Sequence, residues 1–305
     1  MLEIKAYLYL LQDMYIAKTQ IIDQEFPLLI EYFDKVMGSG AIKKIMSTGR
    51  SAVNKPYWYG YLKQYKKWIL QGARISDITS NLRLMEFGIR VKGIQAFALD
   101  WDTADRRDQF IGRLRDSKRV EGLLFEIRTG THFLEQGLDV HLIINMSDEK
   151  ASDLQINAED GGKVVIECVL RSPSISRELY EIKLVEDLLK AASDKLESKH
   201  DWGCPRLVAV KVPESIDWGD ITLRKRIKEK INHWFKQERL ASVNALFLMG
   251  KESMTPWRDR YGRVIAYYPD QQVFLFRNQR ARYPLPESVN SKLIQASFPD
   301  GISTV

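Results

Sequence analysis

Cysteine is scarce: the 305 residues contain two, Cys168 and Cys204. Two thiols so far apart cannot build a disulfide framework or a four-ligand zinc site, which points to a reducing, cytoplasmic compartment. The four histidines, His132, His141, His200 and His233, show no metal-ligand spacing among themselves. No run approaches the roughly 18 apolar residues of a membrane span. The opening MLEIKAYLYLLQDMY carries acids where a secretory leader carries a basic patch. The phosphate-cradling G-x-x-x-x-G-K-[ST] is absent, as is any dinucleotide fingerprint, and Gly38-Ser39-Gly40 reads as a helix terminator. Asp100, Asp102 and Asp105 resemble the start of a calcium loop. Asp105 and Ile111 stand where that loop needs glycine and glutamate, so the run reads more simply as a solvated helix face.

What is present is a folded composition, 45% hydrophobic and 28% charged, with a net charge of +6 that favours an acidic partner such as nucleic acid. Periodicity divides the chain in two, residues 1–116 and 117–305. The first part is all helical: residues 2–24, then PLLIEYFDKVM with proline at its first position, then further helix from residue 75 to 116. Within it KPYWYGYLKQYKKW interleaves rings with lysines. That pattern suits stacked bases and phosphates, or equally an amphipathic helix whose rings pack inward.

The second part alternates. A helix over residues 121–136 ends at Gly137, the usual residue beyond a helix C-terminus. Three short runs follow: Val140, Leu142, Ile144 and Met146; then Leu154 and Ile156; then, after Glu159-Asp160-Gly161-Gly162, Val164, Ile166, Cys168 and Leu170. This spacing puts Glu167 and Cys168 on opposite faces of the third strand. A long helix over residues 176–199, the buried strand RLVAVKV, the basic helix LRKRIKEKINHWFKQE, the strand VNALFLM and a hairpin turning at Tyr268-Pro269-Asp270 complete the chain. The order predicts an α/β fold with a mixed sheet flanked by helices.

Two carboxylates stand on consecutive strands, Asp153 and Glu167, and Glu126 interrupts the apolar helix start GLLFEI. Glu167 lies inside VVIECVL, where a charge is costly to bury unless paired or metal-bound. Hard carboxylate oxygens at this spacing suit magnesium, which can bind a scissile phosphate and lower the pKa of an attacking water.

The pattern FEIRTGTHFLEQGLDVHLI, SDLQI, VVIECV, over roughly residues 121 to 250, resembles the core of the PD-(D/E)XK nuclease superfamily, the restriction-endonuclease-like fold. The resemblance implies a magnesium- or manganese-dependent endonuclease acting on DNA, with a homodimer among the assemblies it allows. Asp153 and Glu167 would bind the metal, and Glu126 would support it. The motif lysine is replaced by Val169, so Arg171 on the same strand face or Lys183 on the next helix would stabilise charge. The departure at Val169 keeps a second expectation open, a catalytically silent module that binds nucleic acid or a protein.

Overall fold

The computed structural model describes residues 26–70, 82–144, 152–170, 181–197, 203–212, 220–258 and 264–293. The chain forms two compact units, each drawn from more than one segment. No helix among the described residues is long and apolar enough to cross a membrane.

The first unit takes the described residues up to Ala96, together with Ile111–Val120 and Ser253–Asp270. Its helices are α1 (residues 26–37), α2 (Ala41–Ser51), α3 (Tyr59–Leu70) and α4 (Leu82–Ala96). The turn from α1 to α2 uses Gly38 and Gly40 at φ 94° and 81°, a backbone conformation only glycine adopts without strain. The Asp34 carboxylate accepts hydrogen bonds from the Gly40 and Ile42 amides at 3.0 and 2.9 Å, capping α2 from the preceding helix. The core is aromatic. Phe33 meets Trp58 and Phe87 edge-on at 5.0 and 5.1 Å, and the Trp58 indole donates to the Leu114 carbonyl at 2.9 Å. The rings of the aromatic–lysine stretch are thus largely packing groups: Trp58 is buried, and Tyr57 and Tyr61 lean on it. The expected helix over residues 2–24 lies outside the described residues.

The second unit takes Phe97–Phe110, the described residues from Glu121 to Glu252, and those from Gln271 onward. A 3-10 turn (Ala98–Trp101) and α5 (Ala104–Arg115, which ends in the first unit) lead to α6 (Val120–Glu135). Strands β1 (Asp139–Leu142), β2 (Leu154–Asn157) and β3 (Lys163–Val169) follow, then α7 (Glu181–Glu197), β4 (Arg206–Lys211) and α8 (Ile221–Trp234). Last come β5 (Val243–Arg258), β6 (Val264–Arg277) and the short α9 (Glu287–Asn290).

The six strands form one mixed sheet in sequence order, antiparallel from β1 to β3 and parallel from β3 to β5. The parallel step from β3 to β4 requires a crossover, and α7 supplies it. Alternation along the strands makes three layers. Val169, Val208, Val210, Leu246 and Leu248 pack with Val185, Leu188 and Ala192 of α7 and Ile227, Ile231 and Trp234 of α8. On the other face Phe133 of α6 meets Phe247 edge-on at 5.0 Å. Thr129 donates to the Met249 sulfur at 3.4 Å, and Arg128 to the Gly250 carbonyl at 3.0 Å. The fold is mixed α/β, as the alternation predicts.

One predicted turn is misplaced. Tyr268-Pro269-Asp270 lies inside β6 (Val264–Arg277). Proline lacks the amide hydrogen a central strand must donate, but β6 is the last strand in the sheet order, so Pro269 interrupts no second ladder.

Candidate functional site

The ladder between β2 and β3 ends at the pair Leu154–Ile166. Asp153, one residue before β2, takes over from the backbone there. Its amide donates to the Ile166 carbonyl at 3.2 Å, and its carbonyl accepts from Ile143 at 3.0 Å. Its side-chain Oδ2 accepts the Cys168 amide at 2.7 Å. A short acid at this position therefore replaces the next rung of the ladder and is tied to the chain on both sides of it. Glu167, one residue along β3 from Cys168, is fully buried.

The two acids share a cation from α7. The Lys195 ammonium donates to Asp153 Oδ2 and to the Cys168 carbonyl, the latter at 2.7 Å, and stands 3.8 Å from Glu167 Oε2. Three oxygens from two chain segments thus converge on one positive nitrogen. Burial alone would lower the lysine pKa, but the Asp153 and Glu167 charges and the Asp153 hydrogen bond outweigh it, so the pKa is raised and Lys195 stays protonated.

Glu126 is buried on α6, and its charge and that of Asp153 both bear on Cys168. Among the described residues, no three His, Cys, Asp or Glu side chains converge as a metal-holding group. The structure brings Asp153 and Glu167 together through Lys195, and Glu126 bears on the same thiol as Asp153 and Lys195. The Cys168 thiol, buried and beside two acids, has a pKa pushed well above its ordinary value, which removes it as a nucleophile. Arg171 lies outside the described residues. Lys183 is exposed near the start of α7, about 18 Å along the axis from Lys195 at 1.5 Å per residue, so it does not reach these acids.

Residue type and spacing do not single out Lys195, although α7 carries a signal. Leu188, Ala192 and Lys195 fall at i, i+4 and i+7, so the lysine continues a buried stripe of α7 in phase. A charge in phase with an apolar stripe needs a partner, and the strand acids are that partner.

Asp100, the first acid of the rejected calcium run, has a structural task. Its carboxylate accepts the Leu142 amide at 2.7 Å and meets His141 Nδ1 at 3.0 Å, closing the edge of β1. His132 on α6 has its pKa lowered to about 4 by burial, aided by the nearby Arg128 charge, and lies 2.7 Å from the Gln136 amide.

Comparison with protein-family models, with curated proteins and with solved structures returned no significant match.

Proposed function

We propose that the chain is a metal-dependent nuclease that hydrolyses phosphodiester bonds in DNA, built on a restriction-endonuclease-like core preceded by a helical N-terminal domain and working in the cytoplasm. The observation that carries this reading is the convergence of Asp153 Oδ2, Glu167 Oε2 and the Cys168 carbonyl on a single cation. Carboxylate and carbonyl oxygens are the hard donors that magnesium or manganese takes, so Asp153, Glu167 and Cys168 fit such an ion. Bound there, the ion would bind a scissile phosphate oxygen and lower the pKa of an attacking water.

The chain's own groups supply the rest. Asp153 and Glu167 orient what binds between them, because one is tied into the strand ladder and the other is immobilised by burial. Lys195, held as an ammonium, is suited to donate hydrogen bonds to the charge that accumulates on phosphate oxygens as water attacks and the P–O bond breaks. It fills the role that Val169 cannot, from a helix rather than from the strand. The positive net charge and the basic helix α8 favour DNA as the partner.

Asp153→Ala and Glu167→Ala should each abolish magnesium-dependent cleavage of plasmid DNA while circular dichroism stays that of the wild type. Cleavage at the wild-type rate by either folded variant defeats the proposal. A second reading, a silent nuclease-like module that binds nucleic acid or a protein, is favoured by one observation: Lys195 already fills the point where the oxygens meet. Calorimetry with magnesium and manganese separates the two, since the silent module has no saturable metal binding at Asp153 and Glu167.

A further inference from the structure

A second group of charged side chains lies in the same unit, between α8 and the end of β6. Lys228 and Asn232, four residues apart on α8, share a helix face, and Lys236 follows just beyond the helix end. With Phe235 they form one wall of a cavity of about 380 Å³. The other wall is the end of β6 and its turn: Phe276, Arg277, Asn278, Gln279 and Arg280. The volume is in the range of small-ligand sites. Two basic segments roughly forty residues apart in sequence are thus brought to one concavity.

The cavity is built rather than incidental. The Arg277 guanidinium is fixed by the Asn290 side chain and by the Asn290 and Leu293 carbonyls at 3.4 and 3.3 Å, all neutral oxygens. The turn is locked by Asn278, whose amide donates to the Asn244 carbonyl and whose side chain donates to the Val243 carbonyl, both at 2.8 Å. The side-chain oxygen of Asn278 in turn accepts the Arg280 amide at 3.0 Å. Four cations line the space, and no carboxylate does among the described residues. Elsewhere on α8 the pattern is different: Lys230 pairs with Glu186 of α7 at 2.5 Å, and Arg239 beyond the helix pairs with Glu197. These acids serve the α7 side and leave the cavity side positive. Four positive charges, three amide side chains and a floor of two phenylalanines suit a phosphate group carried on a nucleotide.

We propose that this cavity is a phosphate-binding site, separate from the carboxylate cluster, that holds the backbone of a nucleic-acid strand or a free nucleotide. The strand as ligand rests on the nuclease reading; the phosphate chemistry does not.

The test is binding without cleavage. A fluorescein-labelled DNA duplex is titrated in EDTA at several salt concentrations, and dTMP is titrated by calorimetry. Three proteins are compared: the wild type, a Lys228→Ala/Lys236→Ala/Arg280→Ala variant, and a charge-matched Lys163→Ala/Lys183→Ala/Lys190→Ala control. For a strand ligand, duplex affinity of the cavity variant should fall at least tenfold, and its log-affinity against log-salt slope should shrink by about 2 to 3, at about 0.9 for each phosphate no longer neutralised. The control should change much less. For a free nucleotide, dTMP binding should disappear in the cavity variant alone. Equal affinities in the cavity variant and the control, or no binding of either probe by the wild type, overturn the proposal. Because EDTA removes the metal, weakened duplex binding in the cavity variant alongside an absence of cleavage by the wild type in magnesium would sink the nuclease reading and leave this site standing.

Discussion

Each unit holds a partly buried cation against an acid, and the two differ in where the cation's partners come from. In the first unit Arg90 pairs with Glu86 one helical turn away on α4 at 2.5 Å and bonds the Tyr57 hydroxyl at 2.8 Å. Its guanidinium lies 5.9 and 5.7 Å from the Tyr57 and Tyr61 ring centres. One positive charge faces one negative charge and two ring faces, and the charge balances locally. In the second unit Lys195 faces two carboxylates and a carbonyl drawn from β3 and the residue before β2, both far from it in sequence. The first arrangement neutralises itself and stabilises a helix pair. The second gathers three oxygens from two distant chain segments on one cation. A buried ion pair alone is therefore poor evidence of function; the number of oxygens gathered on the cation and the sequence distance of the partners separate the two.

The contrast can be broken most severely at the acids. Glu167→Gln keeps the volume and removes the charge, and should reduce magnesium-dependent cleavage by about a hundredfold or more, measured as the single-turnover rate on plasmid DNA. Lys195→Met strips the shared cation and leaves two acids facing each other. It should lower stability by about 3 kcal/mol in urea denaturation, as expected when one partner of a buried pair is removed. Arg90→Met should cost about 2 kcal/mol by the same measurement, through removal of the ion pair and the ring interactions, with cleavage unchanged.

His132 gives a pH test whose sign follows from its lowered pKa. The folded protein keeps it neutral down to about 4, whereas the unfolded chain takes up a proton below about 6.5. Its contribution to stability is fully present above about pH 6.5 and is lost as pH falls from there toward 4. Replacing it with Asn should flatten that part of the stability profile by an amount on the order of 2 kcal/mol. The smallest effect is expected at Lys183: Lys183→Met should change stability by less than about 0.5 kcal/mol, because the side chain is exposed.

Much of the second unit is legible in the sequence because its rules are local. Gly137 ends α6 at φ 76°, the alternation of β3 places Glu167 and Cys168 on opposite faces, and Gly161 takes φ 81° in the β2–β3 turn. The extent of β6 is not legible, since Tyr268-Pro269-Asp270 has turn chemistry but sits in a strand at the sheet edge, where a missing amide hydrogen costs little. Asp153 and Glu167 follow from residue type and strand order. Lys195 does not, because which turn of α7 lies over β3 depends on how the crossover helix packs, and that is set by many apolar side chains at once. Lys183 and Lys195 are the same residue type; the phase of Lys195 with the buried stripe of α7 and the register of α7 on the sheet distinguish them.

That distinction also gives the most direct measurement: cleavage of supercoiled plasmid in magnesium by Lys195→Met and by Lys183→Met, both checked for wild-type circular dichroism. If Lys195 is the cation of the site, Lys195→Met loses about a hundredfold or more in rate and Lys183→Met stays within about twofold of the wild type. Wild-type cleavage by folded Lys195→Met would contradict that role.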